Sequence, residues 1–316
     1  MENKSTDENN DSFIPISNQE LEQKLSILKN HEFFKLAGDD SLEKISKSSE
    51  IVQIKIGCPL ATKNIIQDKI LILLRGEARL LSCIDDKRTT LAKLMPGGII
   101  GLSSLLRCDS CESIIASTDI IALSILDKDI LYLYQNEKEF REFCQRNVFI
   151  NEIVGLTETL ASKSPRNDID IKTAFNKLVK FSKIEPIQNQ TLDSKDYENI
   201  LIVGSNNIQD LKIGDVIENK TNLNVNTPFE GRILSIPKQL YSQFFEVKSE
   251  DNERSKNNLD SIDASKNNKG LKQINFSPEK SKLDIYKNKE NSKNKLVRAN
   301  GNIQEILATF EMLFCQ

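Results

Sequence analysis

IVQIKI (51–56), KILILLR (69–75), EARLLSCI (77–84), RTTLAKL (88–94) and DIIALSI (119–125) are the runs that decide the fold. Each is rich in aliphatic and β-branched residues and too short for a stable helix. Turn formers divide them: Gly57, Gly76, Asp85-Asp86 and Pro96-Gly97-Gly98. Every run has an apolar face that a lone strand cannot bury, so the strands are expected to close on one another as a small roll. One apolar insert, GIIGLSSLL (98–106), breaks the pattern with a short helix opened at Gly101. The expected fold class is α+β: a β-roll flanked by helices, a smaller second α/β module and a disordered linker.

The flanks are helical by spacing. After a polar lead (1–18) expected to be disordered, Leu21, Leu25, Leu28, Phe33, Phe34, Leu36, Leu42 and Ile45 recur at helical intervals. Asp40-Ser41 offers an N-cap to the second of these helices. Beyond the strands, Asp127 is expected to cap a helix through DILYLYQ (129–135). EKEFREFCQRNVFINEIVGLTETLAS (137–162) is expected to continue as one long helix, completing a domain over 19–163.

A second module is expected over 164–246. It opens with the amphipathic IDIKTAFNKLVKFS (169–182) and continues with three strand-like runs, ENILIVG (198–204), DLKIGDVIE (210–218) and GRILSIP (231–237). The Lys-, Asn-, Ser- and Asp-rich tract 247–297 buries too little apolar surface to fold and reads as a linker. NIQEILATFEMLFCQ, within the closing segment 298–316, reads as an amphipathic helix with no partner in the preceding linker.

Composition narrows the function classes. A net charge of −3 over 316 residues does not point to nucleic acid or to an acidic substrate. One His and no Trp leave little for general-base chemistry or metal binding. Six Cys without regular spacing read as reduced thiols, and the polar N-terminus lacks a signal region, so a cytoplasmic location is expected. No run reaches the roughly 20 apolar residues of a membrane span. Cys108 and Cys111 form one CxxC pair, and a zinc site needs two more ligands; the sole His31, beside Phe33 and Phe34, reads as a surface or helix-end residue. There is no P-loop, GxSxG or HExxH. The chain is therefore expected to be non-catalytic, without metal or cofactor.

The order of LLRGEARLL (73–81), PGGIIGLSSLL (96–106) and IIASTDIIALSILDKD (114–129) resembles the cyclic-nucleotide-binding domain. In that family a Phe-Gly-Glu turn supplies a carboxylate to the ribose, and an Arg before the next strand grips the cyclic phosphate. Here Ile100 and Gly101 lie on the Phe-Gly pair, Leu102 on the Glu and Ser110 on the Arg, while Arg107 precedes the loop. The resemblance places a degenerate ligand cassette at Gly101, Leu102, Ser103, Arg107, Ser110, Cys111 and Ser113. Each missing charge-assisted bond is worth roughly 1.5–3 kcal/mol, so cAMP and cGMP are not expected to bind.

The whole arrangement also resembles the N-terminal region of certain bacterial peptide exporters, on SPRNDIDI (164–171), LIVGSNNIQDLKIGD (201–215) and QEILATFEMLF (304–314). That family joins a degenerate cyclic-nucleotide-binding domain to a peptidase-like domain and an ABC transporter. The resemblance implies that 298–316 is the first helix of a peptidase-like domain, cut short here. It also implies partners among ABC exporter domains or a neighbouring peptidase-like domain, and membrane contact only indirectly. The family's nucleophile position holds Glu305, followed by Ile306, and Cys315 lies beyond it.

Three readings stay open: a regulatory or docking module of an exporter, a receptor for a cyclic nucleotide or other small ligand, and a catabolite-activator-type transcription regulator. The last needs a helix-turn-helix after the long helix, and 165–245 shows no basic recognition helix, so no specific nucleic acid is expected.

Overall fold

The computed structural model describes residues 18–63, 65–84, 87–187, 198–217 and 221–246, together with the backbone of 190–192 and 297–298. Residues 1–17, the tract 247–296 and the helix expected over 302–316 lie outside the described residues.

The chain begins with α1 (Asn18–Asn30), a 3-10 turn (Phe34–Leu36) and α2 (Asp39–Ser48). Strands β1 (Glu50–Ile54), β2 (Pro59–Ala61), β3 (Lys69–Arg75), β4 (Ala78–Ile84), β5 (Lys87–Leu94) and β6 (Ile99–Ile100) follow. The short α3 (Leu102–Leu106) then leads to β7 (Ile114–Ala116) and β8 (Ile120–Leu126), and α4 (Asp127–Asn136), α5 (Lys138–Arg146) and α6 (Ile150–Lys163) close the first half. The strands form two antiparallel sheets, one with β1-β8-β3-β6 in order and one with β2-β7-β4-β5. Facing one another, they make the expected roll.

The run KILILLR has no polar alternation because β3 is buried on both faces. Leu71 and Leu73 point into the roll, while Ile70, Ile72 and Leu74 point outward into a helical layer. That outer layer is held by Ile27, Leu28, Leu42 and Ile45 together with the Phe33 and Phe140 rings, whose centroids lie 4.4 Å apart. Side chains of this size each contribute roughly 1.5–3 kcal/mol on burial. β4 has the other pattern: Ala78, Leu80 and Ser82 are buried, and Arg79 and Leu81 between them are less so.

Several expected boundaries move. Gly38, not Asp40-Ser41, occupies the N-cap of α2. Leu126 is the N-cap of α4, and Asp127 stands in its first turn. The single long helix expected over 137–162 is broken between α5 and α6 at Asn147–Phe149, where extended backbone intervenes. His31 is buried rather than superficial: its Nδ1 accepts from Phe33 N at 3.3 Å and its Nε2–H donates to Gly97 O at 3.0 Å.

The second module is α7 (Ile171–Phe181), β9 (Lys183–Ile187), β10 (Gln190–Leu192), β11 (Asn199–Val203), β12 (Val216–Ile217), β13 (Thr221–Leu223), β14 (Gly231–Pro237) and α8 (Lys238–Phe245). Asp170 caps α7, its Oδ1 accepting from Lys172 N and Thr173 N at 3.1 Å each. Among the described residues of the run 210–218 only Val216–Ile217 is strand, and β9, β10, β13 and α8 add to the three strand-like runs expected. A sheet ordered β12-β11-β14-β9 carries Ile233, Leu201 and Val203 on one face. The other face, with Ile202, Leu234 and Ile236, joins α7, α8 and α6 in one continuous core with the inside of the roll. Val297–Arg298, at the seam between the expected linker and closing helix, forms β15 antiparallel to β1.

Candidate functional site

The site is the cassette from Ile99 to Ala116. Gly101 sits at φ +94°, and a Cβ there would lie 3.0 Å from Lys69 O and from the Ile70 side chain, so glycine is required on two counts. Its left-handed turn starts α3. Four of its five residues are buried, and all are short or apolar: Leu102 and Leu106 pack in the outer helical layer with Ile70, and Ser103 and Ser104 lie beside the loop. Leu102, at the family's carboxylate position, therefore faces away from the interior of the roll.

A carboxylate is present nevertheless, supplied by a residue the sequence reading passed over. Glu112 is buried, and its Oε2 accepts from Gly101 N at 2.7 Å. Burial pushes its carboxyl up to about 7, against the backbone N–H groups of Gly101, Ser103 and Ser104 and the Asn151 side chain, which favour the charged form. The signal for Glu112 is strand parity: two residues before the buried Ile114 of β7, it shares that residue's inward face.

The remaining sequence-predicted residues are all committed to the fold. Arg107 is 1 % exposed, and its guanidinium lies beside Cys111 and Gly155. Nε donates to Gly204 O at 2.7 Å in the second module, and Nη1 to Glu152 O at 3.3 Å. Gly155 of α6 makes room for it, since a Cβ there would meet Arg107 Nη1 at 2.5 Å and Cys111 Cβ at 2.7 Å. Ser110, at the family's Arg position, donates its hydroxyl to Lys63 O. Ser113 O accepts from Leu81 N at 2.8 Å, pairing the loop with β4.

Cys111 N donates to Ser104 Oγ at 3.1 Å, and burial pushes the Cys111 thiol up to about 11. Cys108, at φ +52°, is also raised by burial. Burial thus works against a thiolate at either sulfur of the CxxC pair. Among the described residues, no three His, Cys, Asp or Glu side chains gather as a metal site.

The apolar face of α6 packs against the inside of the roll. Ile153, Val154, Leu156 and Leu160 belong to the same buried cluster as Leu73, Leu80 and Ile114 inside the roll. Glu158 fastens α6 to the rim, accepting from Cys83 N of β4 at 2.8 Å and pairing with Lys63, whose backbone carbonyl takes the Ser110 hydroxyl. Behind it, Arg232 of β14 binds both Glu152 oxygens at 2.9 Å and donates to Cys144 O at 2.7 Å and Asn147 O at 2.8 Å. This fork holds the break between α5 and α6 against the second module.

The chain is similar in fold to several solved structures. The regulatory domain of Toxoplasma gondii PKA with cAMP is 10% identical, with a TM-score of 0.37 over 73% of this chain and 94% of that one. The sensor domain of the transcriptional regulator DNR from Pseudomonas aeruginosa is 12% identical, with a TM-score of 0.36 over 39% and 83%. A cyclic nucleotide-binding domain from Methylobacillus flagellatus is 19% identical, with a TM-score of 0.33 over 46% and 78%. No family model and no curated protein matches the sequence. The roll carries a short helix that opens at Gly101 between paired strands.

Proposed function

We propose that this chain is a non-catalytic regulatory or docking module whose cyclic-nucleotide-binding-like roll is closed by its own chain. One observation carries the reading: the Gly101 N–H is taken by Glu112, while Arg107 is turned into the contact with the second module. A cyclic phosphate would bring a negative charge beside a buried carboxyl and find no free cation at Ser110. It would also have to expel the apolar side chains of α6 from the interior.

Titration calorimetry of the full chain with cAMP and with cGMP tests this, with no binding heat expected. A micromolar or tighter dissociation constant for either would overturn it. Among the described residues of the second module, α7 and α8 are separated by a sheet rather than a turn, and they form no helix-turn-helix there.

The partner we propose is an ABC exporter domain or a peptidase-like domain, which places the chain in the cytoplasm at the inner face of a membrane. Support comes from the resemblance of QEILATFEMLF (304–314) to the opening helix of such a domain. No helix among the described residues is long and apolar enough to cross a membrane. Co-purification of the tagged chain with an exporter encoded beside it is the expected outcome, and failure to co-purify in detergent-solubilised membranes would remove the exporter from the proposal.

A further inference from the structure

Three edges of the roll's two sheets are poor templates for a further strand, and the fourth is a good one. An edge strand presents unpaired N–H and C=O groups, and short length, proline, charge or a bulge keeps other segments from pairing with it. β6 is two residues long, and β2 is three and begins at Pro59. β5 carries the exposed Lys87, Arg88 and Lys93 and a register shift against β4. β1 lacks the proline, the bulge and the charged run. It keeps unbroken register with β8 over five residues, from Glu50↔Ser124 to Ile54↔Ile120, with its one charged residue, Glu50, at the start. Ile51 packs in the outer layer and Val52 and Ile54 inside the roll, so packing on both faces fixes its backbone.

That edge is occupied. β15 lies antiparallel to it, with Val52 opposite Arg298 and Gln53 opposite Val297. We propose that the edge of β1 is a strand-docking site and that its occupant is this chain's own segment around Val297–Arg298, held through main-chain hydrogen bonds.

Connectivity permits the return. The residues 247–296 separate α8 from β15, and fifty residues span up to roughly 165–180 Å when extended. The site stands apart from the cassette, because β1 and β6, the strand that leads into Gly101, lie on opposite sides of the β8-β3 pair. It therefore holds whether or not the roll accepts a nucleotide. Recognition through the main chain asks for an extended segment with free N–H groups rather than for a particular side chain, so proline in the segment blocks it. The pairing also carries the closing segment back to the roll: Ile303 follows Arg298 by five residues and so stays within roughly 17–18 Å of it.

The test is residue-resolved amide exchange in the full chain and in a variant carrying Val297→Pro and Arg298→Pro together. Along β1 the amides alternate between those that face β8 and those that face the docked strand. The edge-facing set is expected to be protected in the native chain and to exchange about tenfold or more faster in the proline variant, while the set facing β8 and the amides of β3 stay level. Equal exchange of the edge-facing amides in the two proteins would overturn the site. Light scattering over a dilution series of the native chain identifies the occupant. A monomer whose edge-facing protection does not change with concentration is expected. A dimer whose protection falls on dilution would mean that a second copy supplies the strand, and would overturn docking within one chain.

Discussion

Single residues set the character of the cassette. Because Leu102 lies 1 % exposed in the outer apolar layer, restoring the family's carboxylate there by Leu102→Glu is expected to destabilise the chain by roughly 3 kcal/mol or more without creating a nucleotide site. Urea unfolding and calorimetry on the same sample check both halves of that statement. Glu112 and His31 act on stability with opposite signs. The folded Glu112 carboxyl is raised from 4.5 to about 7, so its contribution is full below the lower value and is lost as pH rises through the upper one. The His31 imidazole is lowered from 6.5 by burial, so its contribution is full above that value and is lost as pH falls, when protonation of Nδ1 breaks the bond from Phe33 N. Melting curves are expected to show Glu112→Gln gaining most over the native chain on the alkaline side. His31→Gln should gain on the acid side. Glu112 itself was hidden from the sequence because the family pattern directs attention to position 102, and its inward aim follows only once β7 is known to start at Ile114.

At the level of elements, what could be read from the sequence was whatever carried its own periodicity. β1, β3, β4, β5 and β8 declare themselves as apolar runs between turns, and α7 shows both its stripe and its Asp170 cap. β2, β6 and β7 are two or three residues long, too short to show any period; β6 and β7 exist because the longer β3 and β4 hydrogen-bond to them, and β2 is an edge strand on β7. The break between α5 and α6 was invisible for another reason: its cause is Arg232, which sits 85 residues beyond Asn147 and binds its carbonyl. Arg232→Ala is expected to cost about 3–5 kcal/mol, because it leaves Glu152 buried without its partner. The double change Arg232→Met with Glu152→Gln is expected to cost less than Arg232→Ala alone. A double-mutant cycle in urea measures that difference.

At the scale of the whole molecule, one apolar cluster runs through both modules. Phe175 of α7 and Leu240 of α8 lie in the same apolar cluster as Val52 and Leu80 of the roll, with α6 between them. Unfolding of residues 18–246 is therefore expected to be a single transition, with far-ultraviolet dichroism and tyrosine fluorescence changing together; two separated midpoints would show that the modules melt independently. The contact between the modules also has an all-or-none quality that its area alone would not produce. One planar guanidinium, on Arg232, bears the bonds to Glu152, Cys144 and Asn147. Withdrawing β14 forfeits all of them in a single step, with no intermediate position in which half are kept. A partner that draws the second module away must outweigh the fork together with the Arg107 bond to Gly204 and the shared apolar cluster, and it shifts the population toward the parted form by as much as it prefers that form. What it finds at the fork is a joint that parts as one unit.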